Sequence, residues 1–227
     1  FIARRATNGA PPSEATQPKD ESPGEKELSA VPDLPIVNTY RRAKKEGAMS
    51  DVLGIIGGSG LYEMEGMKNV RRVVVRTPFG SPSDAITVGE IEGRTLAFLP
   101  RHGRGHRFSP SQINYRANVY AMKKIGAGAI LSISAVGSMK EGIRPGDIVV
   151  VDQFFDHTRF RPNTFFSDGV AGHVAFADPV CPDLSAVAYT AARKVVRRVH
   201  RGGTYLCMEG PAFSTRAESG IYRKWGV

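Results

Sequence analysis

Three short apolar runs constrain the fold most: residues 52–56 (VLGII), 96–99 (LAFL) and 129–133 (AILSI). Each has the length of one strand, reads as buried, and gives way to a loop of small or polar residues. Further strands are read at 70–76, 85–91, 94–99, 147–151 and 203–208, with Glu92-Gly93 as a hairpin turn. Ser109, Pro110 and Gln112 suit the N-cap, the first position and the capping box of a helix that runs to about Ile125 and stops at Gly126. Pro182-Asp183 opens a second helix with Leu184, Val187, Ala188, Ala191, Val195 and Val199 on one face, and a third is read over 214–225. Strands interspersed with helices, with polar loops after the strands, mean an α/β sheet.

Residues 1–48 stand apart. They hold six of the 15 prolines, no aromatic beyond Phe1 and Tyr40, and stretches such as APPSEATQPKDESPG. That composition cannot bury a core and reads as a disordered extension. It has no apolar segment of the kind a signal peptide needs. Met49, just before SDVLGIIGG, is the expected natural start, with 49–227 as the folded domain. The formal net charge is +9, and residues 49–227 carry 23 basic against 15 acidic side chains. Such an excess suits a polyanion or a small anion. Cys181 and Cys207 have no metal spacing and are expected to be reduced, as in a cytoplasmic protein. No apolar run is long enough to span a membrane.

The chemistry concentrates in LPRHGRGHRFSPS, residues 99–111, where Arg101, Arg104 and Arg107 surround His102 and His106. The two histidines have a helical metal spacing, but Gly103 and Gly105 argue against a helix, and no metal is expected. Nucleic acid would call for interleaved aromatics, and only Phe108 is near. A compact Arg-His pair at a strand end suits one phosphate, the arginine gripping it and the histidine donating a hydrogen bond. Arg104 and Arg107 read as solvated loop cations. Two small-residue loops add anion-type sites: Gly57-Gly-Ser-Gly60, where Ser59 adds a hydroxyl, and the stretch from Ser132 to Ser138 around Ser134. Neither is a dinucleotide fingerprint or a P-loop. In TRAES, Ser214 and Glu218 read as caps of the last helix.

In order, GIIGGSGL, TPFGSPSD, RHGRGHRFSPSQINYRAN, SAVGS, GDIVVVDQFFDHT and EGPAFSTRAES resemble the methylthioadenosine phosphorylase branch of the purine nucleoside phosphorylase family, over about residues 51–227. The resemblance implies a three-layer α/β/α domain on a mixed central sheet, assembled as a homotrimer. It implies phosphate-dependent cleavage of a nucleoside's N-glycosidic bond, with inorganic phosphate as co-substrate and no cofactor, metal, nucleic acid or membrane partner. It assigns phosphate to Ser59, Arg101, His102, Ser134 and Ala135. It stacks Phe213 on the purine with Ser214 beside it, and sends His173 toward a neighbouring subunit's site near the 5′-methylthio group. The family's methionine-threonine and aspartate segments follow an RKWG-like stretch, whereas this sequence ends at Val227, directly after YRKWG. The resemblance therefore implies a domain incomplete at its C-terminus, with no catalytic acid assigned. A 6-oxopurine nucleoside or methylthioinosine phosphorylase, or an inactive anion-binding fragment, are the alternative expectations.

Overall fold

The computed structural model describes residues 2–3, 52–58, 66–167, 169 and 171–227. The expectation of a tail over residues 1–48 lies, apart from Ile2 and Ala3, outside the described residues, as do Met49 and Ser59. The chain divides into two compact units, the larger containing residues 50–165 and 174–227. Of the smaller unit, the described residues lie within 166–173, where the Phe166 ring packs close over Gly172.

The larger unit is built on a six-stranded mixed sheet. Its strands are β1 (Ile2–Ala3), β2 (Val52–Gly57), β3 (Lys68–Val73), β4 (Ile86–Ile91), β5 (Arg94–Pro100) and β6 (Ala127–Ser132). They lie in the order β1-β6-β2-β5-β4-β3. β5 and β6 flank β2, and both run parallel to it. β3, β4 and β5 form an antiparallel meander, with the expected Glu92-Gly93 turn between β4 and β5. Ile2 and Ala3, expected to be tail, pair antiparallel with Leu131 and Ile130 on the far edge of β6.

β5 shows why its sequence is a continuous apolar run. Ala97 and Leu99 point into a cluster with Ile56, Val75, Ile86, Val88, Ala121 and Met122. Phe98, opposite by strand alternation, is also fully buried, so both faces of the strand are covered. The covering helix, α1 (Tyr115–Lys124), buries Ala117, Ala121 and Met122 along one side. It approaches so closely that a Cβ on Gly54 of β2 would stand 3.2 Å from the Met122 sulfur, which is why that strand centre carries glycine. The helix is shorter than its sequence suggested. Pro110–Gln112 forms a separate 3-10 turn, in which the Ser109 N–H donates to Gln112 Oε1 at 3.0 Å. The α-helix starts anew because the Asn114 side chain accepts from Ala117 N–H and caps it.

The second half pairs β7 (Ile148–Val150) with β9 (Val199–Arg201) and β8 (Gln153–His157) with β10 (Thr204–Met208), both parallel. α2 (Pro182–Val195) leads into β9, and α3 (Arg216–Lys224) ends the fold. β8 and β9 were not foreseen, and Val199, expected on the second helix, lies in β9. The two pairs are offset where Asp152 accepts the Gly203 N–H at 3.0 Å. Gly202 there has φ of +82°, and a Cβ on it would lie 2.9 Å from the Asp152 carboxylate. Of the face expected on α2, Leu184 and Ala188 pack against Val180 and Cys181, whereas Val187 (65% exposed) and Val195 (81%) face outward. α3 is capped by Thr215 rather than Ser214, whose hydroxyl pairs instead with that of Ser219 at 2.8 Å. Cys181 is buried and Cys207 partly buried, and neither forms a disulfide in the structure. Among the described residues no helix is long and apolar enough to cross a membrane.

Leu99 is the tightest test of this core. Leu99→Ala is expected to cost about 2–5 kcal/mol, the range for a fully buried leucine, measured by urea unfolding.

Candidate active site

Parallel register puts the ends of β5, β2 and β6 side by side, and two backbone bonds carry the ladder past the strands. Arg101 N–H donates to the Gly57 carbonyl at 2.8 Å, and Ile133 N–H to the Ile56 carbonyl at 2.9 Å. The loops after β5 and β6 therefore leave the sheet as neighbours of β2's last residues. The carboxyl ends of parallel strands are where open α/β sheets hold ligands.

Arg101 and Ser134 meet there. Arg101 Nη1 donates to Ser134 Oγ across the end of β2, and Arg101 Nε donates to His102 Nε2 at 3.2 Å. Nη2 of Arg101 has no protein partner among the described residues. His102 is buried, with Nδ1 2.8 Å from the Phe108 carbonyl, while Phe108 N–H returns a 3.1 Å bond to the His102 carbonyl. Burial is the main reason its imidazole is less basic than usual. The Phe108 carbonyl opposes that shift, and Arg101 and His106 add to it. His106 stacks on His102 at 4.2 Å with the rings 13° apart, from a backbone φ of +55° that is uncommon outside glycine.

The loop is fixed by an acid the sequence did not flag. Asp84 accepts from Arg104 N–H and Ala85 N–H and pairs with Arg72 at 2.9 Å. Burial alone would raise its pKa, but these donors and Arg107 hold it below the usual range. Arg107 donates to the Ser83 carbonyl at 3.0 Å, so it is more than a solvated cation. Among the described residues no cluster of metal-ligating side chains occurs.

The other assigned residues are less assembled. Ala135 is exposed in the loop after β6. Phe213 is 93% exposed, and Ser214 is half-buried beside it. His173 is exposed and belongs to the smaller unit.

Sequence reasoning missed the knot that anchors the loop carrying Phe213. Arg161 uses its whole guanidinium. Nε donates to Glu209 Oε1 at 3.2 Å, Nη1 to Tyr115 Oη at 3.0 Å, and Nη2 to the Met208 carbonyl at 3.1 Å and the Glu209 carbonyl. Glu209 also accepts from Arg159 N–H, Phe160 N–H and the Ser111 hydroxyl. The knot thus joins the β8 exit, the β10 exit and the start of α1. An arginine shortly after DHT and a glutamate ending a strand were the available signals.

Residues 52–227 match the sequence profile of the phosphorylase superfamily. The chain belongs to that superfamily. The phosphorylase fold is matched by methylthioadenosine phosphorylase from an Antarctic soil metagenomic library, with a TM-score of 0.74 and 50% identity over 78% of this chain and 62% of that one. It is also matched by the Schistosoma mansoni methylthioadenosine phosphorylase in complex with adenine, with a TM-score of 0.72 and 39% identity over 77% of this chain and 71% of that one. S-methyl-5′-thioadenosine phosphorylase of Geobacter sulfurreducens is 62% identical over 180 residues, 79% of this chain and 63% of that protein. The chain therefore spans about six-tenths of the length of curated relatives such as this one.

The Glu209 knot has an acid signature. The Arg159 N–H is the largest of the donors that hold its carboxyl at about 2, against an ordinary 4.5. A carboxylate depressed in the folded state stabilises fully above about 4.5 and loses that contribution as pH falls toward 2. Glu209→Gln is therefore expected to flatten the acid limb of a plot of thermal midpoint against pH. Arg161→Met is expected to lower the midpoint at neutral pH. Arg161→Lys should restore only part of it, since one ammonium cannot reach all the acceptors.

Proposed function

We propose that the chain carries S-methyl-5′-thioadenosine phosphorylase chemistry: phosphate-dependent cleavage of the N-glycosidic bond, giving adenine and 5-methylthioribose 1-phosphate. The observation that carries this reading is Arg101 held against Ser134 at the carboxyl ends of β5 and β6, with Nη2 without a protein partner among the described residues. The names of the similar relatives support the nucleoside.

On this reading Arg101, the Ser134 hydroxyl, the backbone at Ala135, Ser59 and His102 make the phosphate pocket. A phosphate oxygen attacks C1′ as the C1′–N9 bond breaks, the bonding pair leaves with the purine, and the purine takes up a proton. The transition state resembles an oxocarbenium ion, as in glycoside hydrolysis. The pocket's contribution is to hold a nucleophilic anion in line and close to that positive charge. Phe213 stacks on the purine, and Ser214 lies beside it. The same reading has the domain working as a cytoplasmic homotrimer in which His173 serves a neighbouring subunit.

Adenine release from methylthioadenosine, with and without phosphate, tests the reaction. Phosphate-dependent release is expected. Turnover of inosine or methylthioinosine instead would leave the pocket standing and change the base. Arg101→Ala is expected to weaken phosphate binding by about 1.5–3 kcal/mol, the range for a charge-assisted hydrogen bond, and Arg104→Ala far less. Equal losses in calorimetry would remove Arg101 from the pocket.

A further inference from the structure

Resting on the phosphate pocket proposed above, we infer that Asp84, which is no member of that pocket, is a positioning residue for it: a carboxylate that strengthens anion binding by holding the loop of Arg101 and His102 in a disfavoured backbone shape.

The loop from Arg101 to Phe108 turns three times through left-handed backbone. Gly103 and Gly105 have φ of +71° and +78°, and His106, which carries a side chain, has +55°. Such a conformation is disfavoured wherever a Cβ is present, and it persists only where the surroundings over-determine it. Inside the loop, Gly103 N–H donates to the Pro100 carbonyl and His106 N–H to the Gly103 carbonyl, both at 3.0 Å. The bond at the tip comes from outside: Arg104 N–H donates to Asp84 Oδ2 at 2.8 Å.

Asp84 is itself held firmly. Ala85 N–H and Arg72 Nη2 donate to Oδ1 at 2.7 and 2.9 Å. The preceding residue, Ser83, is 2% exposed and engages both ends of the Asn118 amide. Ser83 N–H donates to Asn118 Oδ1 at 2.8 Å, and Asn118 Nδ2 donates to Ser83 Oγ at 2.9 Å. Asn118 is a buried residue of α1. The Ser83 carbonyl takes Arg107 Nη2 at 3.0 Å, and a Cβ on Gly103 would lie 2.9 Å from it. A buttress therefore runs from α1 through Ser83 and Asp84 to the backbone of the loop. On the loop's inner side His106 stacks on His102 at 4.2 Å. Freeing Arg104 N–H loosens the turn that holds His106, and with it the ring that backs His102 and the chain that carries Arg101.

The sign of the effect separates this role from simple electrostatics. A carboxylate near an anion pocket repels the anion, so neutralising it should tighten binding. Asp84→Asn keeps the shape of the side chain and one acceptor oxygen. Its NH2 must then face either Arg104 N–H or the Ala85 and Arg72 donors. Positioning predicts weaker anion binding from the same substitution.

Inorganic phosphate is the probe, titrated calorimetrically into the full chain at constant ionic strength and below the thermal midpoint of every variant. Asp84→Asn is expected to weaken phosphate binding about tenfold, the lower end of what groups orienting the ligands of a bound ion supply. Asp147→Asn is the matched control, since it removes the same charge from an acid held by Arg144 N–H, Arg198 and His200. It is expected to lower the thermal midpoint and leave phosphate affinity unchanged. Arg72→Met alters a side chain that is 54% exposed, so it decides the matter even where Asp84→Asn fails to fold. It strips the counter-cation but leaves the Arg104 bond, and affinity is expected to stay within about twofold, because such exposed pairs contribute little. The Arg104 amide should be protected from hydrogen exchange in the unaltered chain and lose that protection in Asp84→Asn. Unchanged or tighter phosphate binding in Asp84→Asn, an equal loss in Asp147→Asn, or a loss of that size in Arg72→Met overturns the inference and leaves the pocket standing. An unaltered chain that binds no phosphate overturns the pocket, and the inference with it.

Discussion

Everything at the site hangs on the last two carbonyls of β2. The Ile56 carbonyl takes the N–H of Ile133 from one side, and the Gly57 carbonyl takes that of Arg101 from the other. These are ordinary sheet bonds continued one step beyond the strands. They cost the chain nothing new in backbone order, since the ladder has already fixed the flanking residues. Their effect is chemical: a hydroxyl from the end of β6 and a guanidinium from the end of β5 arrive within hydrogen-bonding reach without a binding loop having to be ordered separately. The tight seating of α1 on Gly54 maintains this register, because sliding β2 would drive a side chain into Met122.

Positive charge is abundant in this molecule, and the structure handles it by giving selected carboxylates several donors each. Asp84, Asp147 and Glu209 each combine at least one backbone N–H with an arginine partner. Asp147 is held at about 2, first by Arg144 N–H and then by His200 and Arg198. These acids organise loops, and none of them touches the Arg101 guanidinium. The net charge alone left a polyanion and a small anion both open. The local arrangement instead ties many of the cations to named acids and carbonyls, and leaves Nη2 of Arg101 without a protein partner among the described residues.

The strands that carry the site were legible because burial on both faces writes a continuous apolar run, as at Leu96 to Leu99. The capping pattern at Ser109 was legible as well, although the Asn114 cap, which restarts the helix, was hidden within QINYRAN. What failed was inference from periodicity alone. Val187 and Val195 have the spacing of a buried face, yet the described chain leaves them exposed. Spacing states which residues a helix presents together, and says nothing of what lies opposite. β8 and β9 escaped because they are short and carry polar residues, Gln153, Asp156, His157 and Arg201, that break any alternation. Arg161 escaped for another reason. Its acceptors come from residues 115 and 207–209, a convergence no local window contains.

The two halves of the site therefore rest on different physics. The anion half is a by-product of sheet register, specified by many cooperative backbone bonds and by a core that is fully buried beneath it. The half bearing Phe213 hangs from one side-chain knot, Arg161 with Glu209, and its aromatic ring stands free of the rest of the described chain. A group held by the sheet is fixed in place by the ladder beneath it. A ring on a tethered loop keeps more freedom to move. Changes that loosen the Glu209 knot should then act on the loop bearing Phe213 while leaving the Arg101–Ser134 bond in register, since no hydrogen bond among the described residues runs directly from one cluster to the other. The separation follows from topology: α1 is the shared wall, offering Met122 to the sheet and Tyr115 to the knot.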